Sequence, residues 1–124
     1  MKSNHHQKEI YRLLDYQFKN NRLLAEALTH SSARKSSKTN NERLEFLGDR
    51  VLGLVIAEEL LRLNPNSTEG KIATYYNYLV KKETCALIAK EIGLESLLTL
   101  GKSVTRTSNR QKDKILGNAV EALI

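Results

Sequence analysis

From Asn41 to Leu63 the chain runs for more than twenty residues without a proline, and apolar side chains recur every three or four positions. At about 100° per residue, Leu44, Leu47, Val51, Leu54 and Val55 share an arc of about 100°, the apolar stripe expected of a helix packed on a core. The helix has a firm end. Asn64 precedes Pro65, the chain's one proline, and a residue before proline is pushed out of the α region. No segment shows convincing strand alternation, so this long helix predicts an all-α domain with the other helices packed around it.

Those helices are read from the same period. The first covers roughly 7–14, with Ile10, Leu13 and Leu14 on one side. Asn20 or Asn21 caps a second, carrying Leu23, Leu24, Ala27 and Leu28. Two more fit about 67–80 and 83–92, the latter closed by Gly93, and a short one fits about 95–100. The last begins near Asp113 with Ile115, Leu116, Ala119, Val120 and Leu123 as its apolar face. That pattern is still running at Ile124, so the domain is expected to continue further than residues 1–124. Residues 31–41 and 101–114 read as polar, basic connections.

At 124 residues, 40% hydrophobic and 27% charged, the chain fits one globular domain. Its single cysteine, Cys85, excludes an internal disulfide framework and a cysteine-based zinc finger, and is most simply a core residue. The N-terminus lacks the apolar run of a signal peptide, and no stretch reaches the ~18 apolar residues of a membrane span. A cytoplasmic protein is expected, with no membrane partner. The net charge of +6 and pI near 9.5 favour polyanions as ligands.

Chemistry gathers on the long helix. Glu42, Glu45 and Asp49 lie at i, i+3 and i+7, within about 60° of one another and away from the apolar stripe. Such carboxylates repel and raise one another's pKa, so a positive group should accompany them. Spacing alone leaves two readings: a solvated acidic face, or hard oxygen ligands suited to Mg²⁺ or Mn²⁺. Thr39 and Glu42 have capping-box spacing, which would explain Glu42 without chemistry. Phe46 lies beside the acids, covered either by this chain or by a second subunit. Gly48 and Gly53, unfavourable inside a helix, predict close packing against a neighbour. In the last helix Asn118 and Glu121, one turn apart, point away from its apolar face together. Glu69 near the start of another helix is equally consistent with an ordinary first-turn acid.

The segment NERLEFLGDRVL, residues 41–52, closely resembles the signature of the ribonuclease III family, and ILGNAVEALI, residues 115–124, resembles its second acidic motif. LTHSS at 28–32 and TEGKIATYYNYLV at 68–80 match the intervening segments in order. The resemblance implies an all-α, homodimeric endonuclease domain of the bacterial type that cuts double-stranded RNA with Mg²⁺, leaving 5′-phosphate and 3′-hydroxyl ends. It makes Glu45 and Glu121 metal ligands and Asp49 an essential acid beside them. Glu42 and Glu69 match supporting acids that act across the dimer, and Phe46 the aromatic that enters a pocket of the partner.

Asn118 departs from the pattern, standing where an aspartate ligand is expected. Its amide oxygen still coordinates a hard cation but brings no charge, which weakens metal binding and leaves open a catalytically weakened or silent RNA-binding member. His30, within LTHSS, is read as structural. Lys102, Arg106, Arg110, Lys112 and Lys114, five basic residues against the single acid Asp113 in 101–114, are expected to hold the RNA backbone from an exposed loop.

Overall fold

The computed structural model describes residues 2–33, 39–104 and 108–124. Six α-helices account for most of them: α1 (Lys2–Leu14), α2 (Asn21–Ala27), α3 (Glu42–Leu63), α4 (Glu69–Val80), α5 (Lys82–Ile92) and α6 (Asn109–Leu123). Short 3-10 turns occupy Ser31–Ala33, Leu94–Leu97 and Lys102–Val104. The local signals act as their chemistry requires. Asn20 caps α2, its side chain accepting from the backbone N–H groups of Arg22 and Leu23, and Thr68 caps α4 through Lys71 N–H. Gly93 closes α5. At α3 the amide of Glu42 donates to the Asn40 side chain at 3.0 Å, which satisfies one of the free N–H groups of the first turn.

The core lies among α1, α2, α5, the turn at Leu94–Leu97 and α6. Ile10, Leu24, Leu28, Ala86, Ala89, Leu94, Leu97, Leu116 and Ala119 form its buried centre, and Cys85 is buried beside it. Burying each leucine or isoleucine of this set contributes about 1.5–3 kcal/mol toward holding the five elements together. A parallel bridge, Thr29 to Thr99, ties the chain after α2 to the chain that follows α5 and the turn at Leu94–Leu97. Among the described residues no helix is long and apolar enough to cross a membrane.

Two expectations are corrected here. The arc Leu44, Leu47, Val51, Leu54 and Val55 is not turned to the core: Leu47, Leu54 and Val55 are more than half exposed. The side of α3 that meets the rest of the chain is the one with Gly48, Gly53 and Leu60, all buried, and α6 and α4 pack against it. A periodic stripe shows that a face avoids water without showing what covers it. The second correction concerns α6, which begins at Asn109 and not near Asp113, with the Ser108 side chain accepting from Gln111 N–H. Arg110, Lys112 and Lys114 therefore stand on a helix, Lys102 stands on a 3-10 turn, and Arg106 lies outside the described residues.

Candidate active site

The N-terminus of α3 is fixed before any chemistry is placed on it. Asn41, buried, donates its backbone N–H to Thr29 O at 2.9 Å and its side-chain amide to Ala27 O at 3.2 Å. That anchorage sets the direction of Glu42 and Glu45, both in the first turn of α3. One turn later Gly48 lies against α6. A Cβ there would come within 1.6 Å of the Glu121 backbone oxygen, so only glycine lets the two helices approach this closely. Gly117 does the same between α6 and α5, where a Cβ would meet the Lys82 carbonyl oxygen at 2.8 Å. Two close backbone approaches thus converge on Glu45, Glu121 and Lys82.

The Lys82 ammonium bridges both acids. It donates to Glu45 Oε1 at 3.1 Å and to Glu121 Oε2. Glu121 is only 2% exposed, so the side of α6 away from its apolar stripe is itself covered at this position. Burial pushes the Glu121 carboxyl above the ordinary carboxylate range; the bond from Lys82 opposes this, while the charges of Asp49 and Glu45 add to it. Burial alone would lower the Lys82 ammonium, but its bonds to Glu121 and Glu45 outweigh that and hold it above the usual value. The positive group that the acids of α3 call for is therefore a lysine 37 positions from Glu45 in sequence.

Beside this cluster opens a cleft of about 370 Å³, lined by His30, Ser31, Asn41, Glu42, Glu45, Val104, Gln111, Lys114, Ile115 and Asn118. The Asn118 Oδ1 is buried and has no hydrogen-bond partner among the described residues, an arrangement that leaves a lone-pair donor at the wall of a polar cleft. Asp49 is exposed on α3 and paired with Arg50 at 3.3 Å, yet its charge reaches Glu121. Glu69 is exposed at the start of α4 and does not line the cleft. Phe46 is 63% exposed, with the Arg50 guanidinium 3.6 Å from its ring centre. His30 holds the rim: its Nδ1 accepts from Ser32 N–H at 3.1 Å and sits 2.7 Å from the Ser32 hydroxyl, which accepts from Gly101 N–H at 2.9 Å.

The structure thus brings Glu45, Glu121, Glu42 and Asn118 to one region, leaves Asp49 at its edge, and sets Glu69 and Phe46 outside it. Lys82 escaped the sequence reading. Its signal was a cation at the first position of α5, where the helix dipole disfavours positive charge and some other partner must explain it. A larger pocket, about 450 Å³ between α1 and α2, is lined by Gln7, Lys8, Tyr11, Gln17, Phe18 and Leu24 and offers no acid.

Residues 20–124 match the family model described as ribonuclease-III-like. The chain belongs to this family. It is 51% identical over 120 residues to ribonuclease 3 of Dinoroseobacter shibae, covering 94% of this chain and 52% of that one. It is 50% identical over 111 residues to ribonuclease 3 of Ruegeria pomeroyi, covering 90% and 49%. The chain spans about half the length of the curated relatives it matches. Among solved structures, the nuclease domain of ribonuclease III from Campylobacter jejuni superposes with a TM-score of 0.83 at 36% identity, covering 94% of this chain and 80% of that one. That structure describes flexibility in a region involved in the Campylobacter domain's dimer formation. The ribonuclease-III-like helical fold and the order of its acidic motifs therefore agree with the resemblance read from residues 41–52 and 115–124.

Oxygen donors define what the ribonuclease-III-like site can hold. Among the described residues no three carboxylate, imidazole or thiol side chains group closely enough to bind a metal by themselves. Glu45 and Glu121 supply two carboxylates, and the partnerless Asn118 Oδ1 is the third oxygen within the same region. Hard oxygens of this kind fit Mg²⁺ or Mn²⁺ and not a thiolate-preferring ion. The Cys85 thiol, pushed up by burial and by Glu121, stays protonated and takes no part.

Proposed function

We propose that this chain is the catalytic part of a homodimeric, Mg²⁺-dependent endoribonuclease that hydrolyses double-stranded RNA to 5′-phosphate and 3′-hydroxyl ends. The observation that carries the reading is the partnerless Asn118 Oδ1 at the wall of a cleft shared with Glu45, next to a carboxylate pair already drawn together by a cation. Glu45, Glu121 and Asn118 would hold the ion, with Mn²⁺ an acceptable substitute. Bound there, it supplies Lewis-acid stabilisation of phosphoryl oxygens and an acidified water. Asp49, at the edge of the cluster, orients the attacking water. Glu42 at the cleft wall and Glu69 on the outer surface support the site from across the dimer. Lys114, at the same wall, and Arg110, one turn earlier on α6, draw the phosphodiester toward the acids. RNA is distinguished from DNA by A-form shape and 2′-hydroxyl contacts. A cytoplasmic site of action belongs to the same reading.

The uncovered stripe of α3 supports the dimer. Leu47, Leu54 and Val55 form an apolar face too exposed for a lone chain, and Phe46 stands beside it. A second copy related by two-fold symmetry covers such a face with itself.

The test is incubation of the chain with long duplex RNA in Mg²⁺, in Mn²⁺ and with chelator. Cleavage with 5′-phosphate ends in both metals and none with chelator is expected, and Glu45→Gln and Glu121→Gln should bind duplex without cutting it. Binding without cleavage in every metal would make this an RNA-binding member of the family.

A further inference from the structure

Lys82 occupies a position that neither helix propensity nor surface charge explains. It is the first residue of α5, where the helix dipole opposes a cation. Its backbone is pinned, because its carbonyl oxygen lies under Gly117 with no room for a Cβ between them. Only the side chain is free to move, and at 35% exposure it has a way out to solvent. Its ammonium makes the contacts a cation at this site would make, one oxygen from Glu45 and one from Glu121.

We propose that Lys82 is a tethered stand-in for the divalent ion, neutralising the Glu45–Glu121 pair while metal is absent and swinging out for metal to enter. This rests on the reading of Glu45, Glu121 and Asn118 as the metal site. Charge arithmetic drives the exchange. Two carboxylates and a neutral amide carry two negative charges, so one ammonium leaves a charge over and a divalent cation leaves none. Without either, a nearly sealed carboxylate faces another with no counter-charge, which is strongly unfavourable. With both, an ammonium and a dication crowd the same two carboxylates, so one excludes the other. A lysine suits the task because its compact charge rides on a flexible four-carbon stem. The Asn118 amide fits the same balance: a third carboxylate there would leave the lysine outnumbered three to one.

The experiment is a calorimetric Mn²⁺ titration of the wild-type chain and Lys82→Met, without RNA, beside thermal melts in chelator and in saturating Mn²⁺. Lys82→Met should bind Mn²⁺ on the order of tenfold more tightly, since removing a neighbouring unit charge readily changes affinity that much. It should melt lower than wild type in chelator, and the gap should close or reverse in Mn²⁺. Equal or weaker Mn²⁺ binding by Lys82→Met, or a melting deficit the same with and without metal, overturns the lysine's role and leaves the metal site standing. No Mn²⁺ binding by either form overturns the metal site and the proposal with it. The wild-type chain gives a check that needs no folded variant. The lysine ammonium NMR signal protected in chelator should vanish on titration with Mg²⁺, and its persistence at saturation overturns the exchange.

Discussion

Asn118 sits one turn before Glu121 on α6 with an oxygen that no described residue satisfies. Replacing it by aspartate adds a negative charge beside Glu45, and charge count is what tunes oxygen sites for hard cations. Asn118→Asp should therefore raise Mg²⁺ affinity and cleavage rate together, while lowering the melting temperature in chelator because another acid joins the cluster. A Mg²⁺ titration of cleavage with paired melts reads both; equal behaviour of the two forms would mean that the amide oxygen suffices. His30 makes a second residue-scale case. Burial holds its pKa below 6.5, against the opposing charges of Glu42 and Glu45, and its Nδ1 is an acceptor in the Ser32–Gly101 clasp. A histidine whose folded pKa is depressed takes up protons more readily when unfolded. Its stabilising contribution is thus present above about pH 6.5 and lost as pH falls through the folded value. Wild-type melts should drop between about pH 7.5 and 5.5 more steeply than those of His30→Asn, whereas parallel curves would remove the clasp from the account.

At the scale of elements, α3 presents one face to α6 and α4 and leaves the other uncovered. Phe46 at 63% and Leu54 at 72% exposure are the clearest members of that free side. If a partner desolvates the Phe46 ring, its burial contributes roughly 1.5–3 kcal/mol per subunit, counted twice in a two-fold dimer. Phe46→Ala should weaken self-association by sedimentation, and Leu54→Glu should abolish it by placing a charge in the interface. A wild-type monomer, or variant dimers as tight as wild type, would leave the stripe unexplained by pairing. This face also shows what was legible in the sequence. The ends of α3, α4 and α5 are set by Pro65, Thr68 and Gly93, local chemistry that can be read one residue at a time. The start of α6 could not be read that way, because its first turn, Asn109–Lys112, has no apolar residue to announce a period. Nor could the partner of the α3 stripe, since apolar spacing is identical for a core and for a subunit interface. The acids were legible because Glu42, Glu45 and Asp49 share one helix. Lys82 reaches them only through the folding of α3 and α5 onto α6, which glycine contacts at Gly48 and Gly117 permit and no local pattern encodes.

Across the whole molecule the excess of six positive charges is not evenly useful. Lys112 is already engaged with Glu95 at 2.7 Å, and the Lys90 ammonium is held by Asp113 at 2.6 Å. Arg110 is exposed on α6, and Lys114, also exposed, lines the cleft together with Gln111, Ile115 and Asn118, the i, i+3, i+4 and i+7 positions of a single face. Following that side of α6 from Arg110 through Lys114 to Asn118 and Glu121, the chain passes from exposed cations to the oxygens of the proposed metal site over about 16 Å of helix. Under the proposed function a duplex laid along it would meet positive charge first and the acids second, so grip and chemistry would be carried by one element. Neutralising Arg110 and Lys114 to glutamine should weaken duplex binding alike for every sequence. It should also flatten the plot of log affinity against log salt by about two units per subunit touching the duplex, close to one counterion for each lost phosphate contact. Lys112→Gln should change the slope less, because its charge is already spent on Glu95. The measurement is a salt series of duplex binding in Ca²⁺. An unchanged slope in the double variant would turn this side of α6 away from the RNA and move the basic grip to another part of the surface.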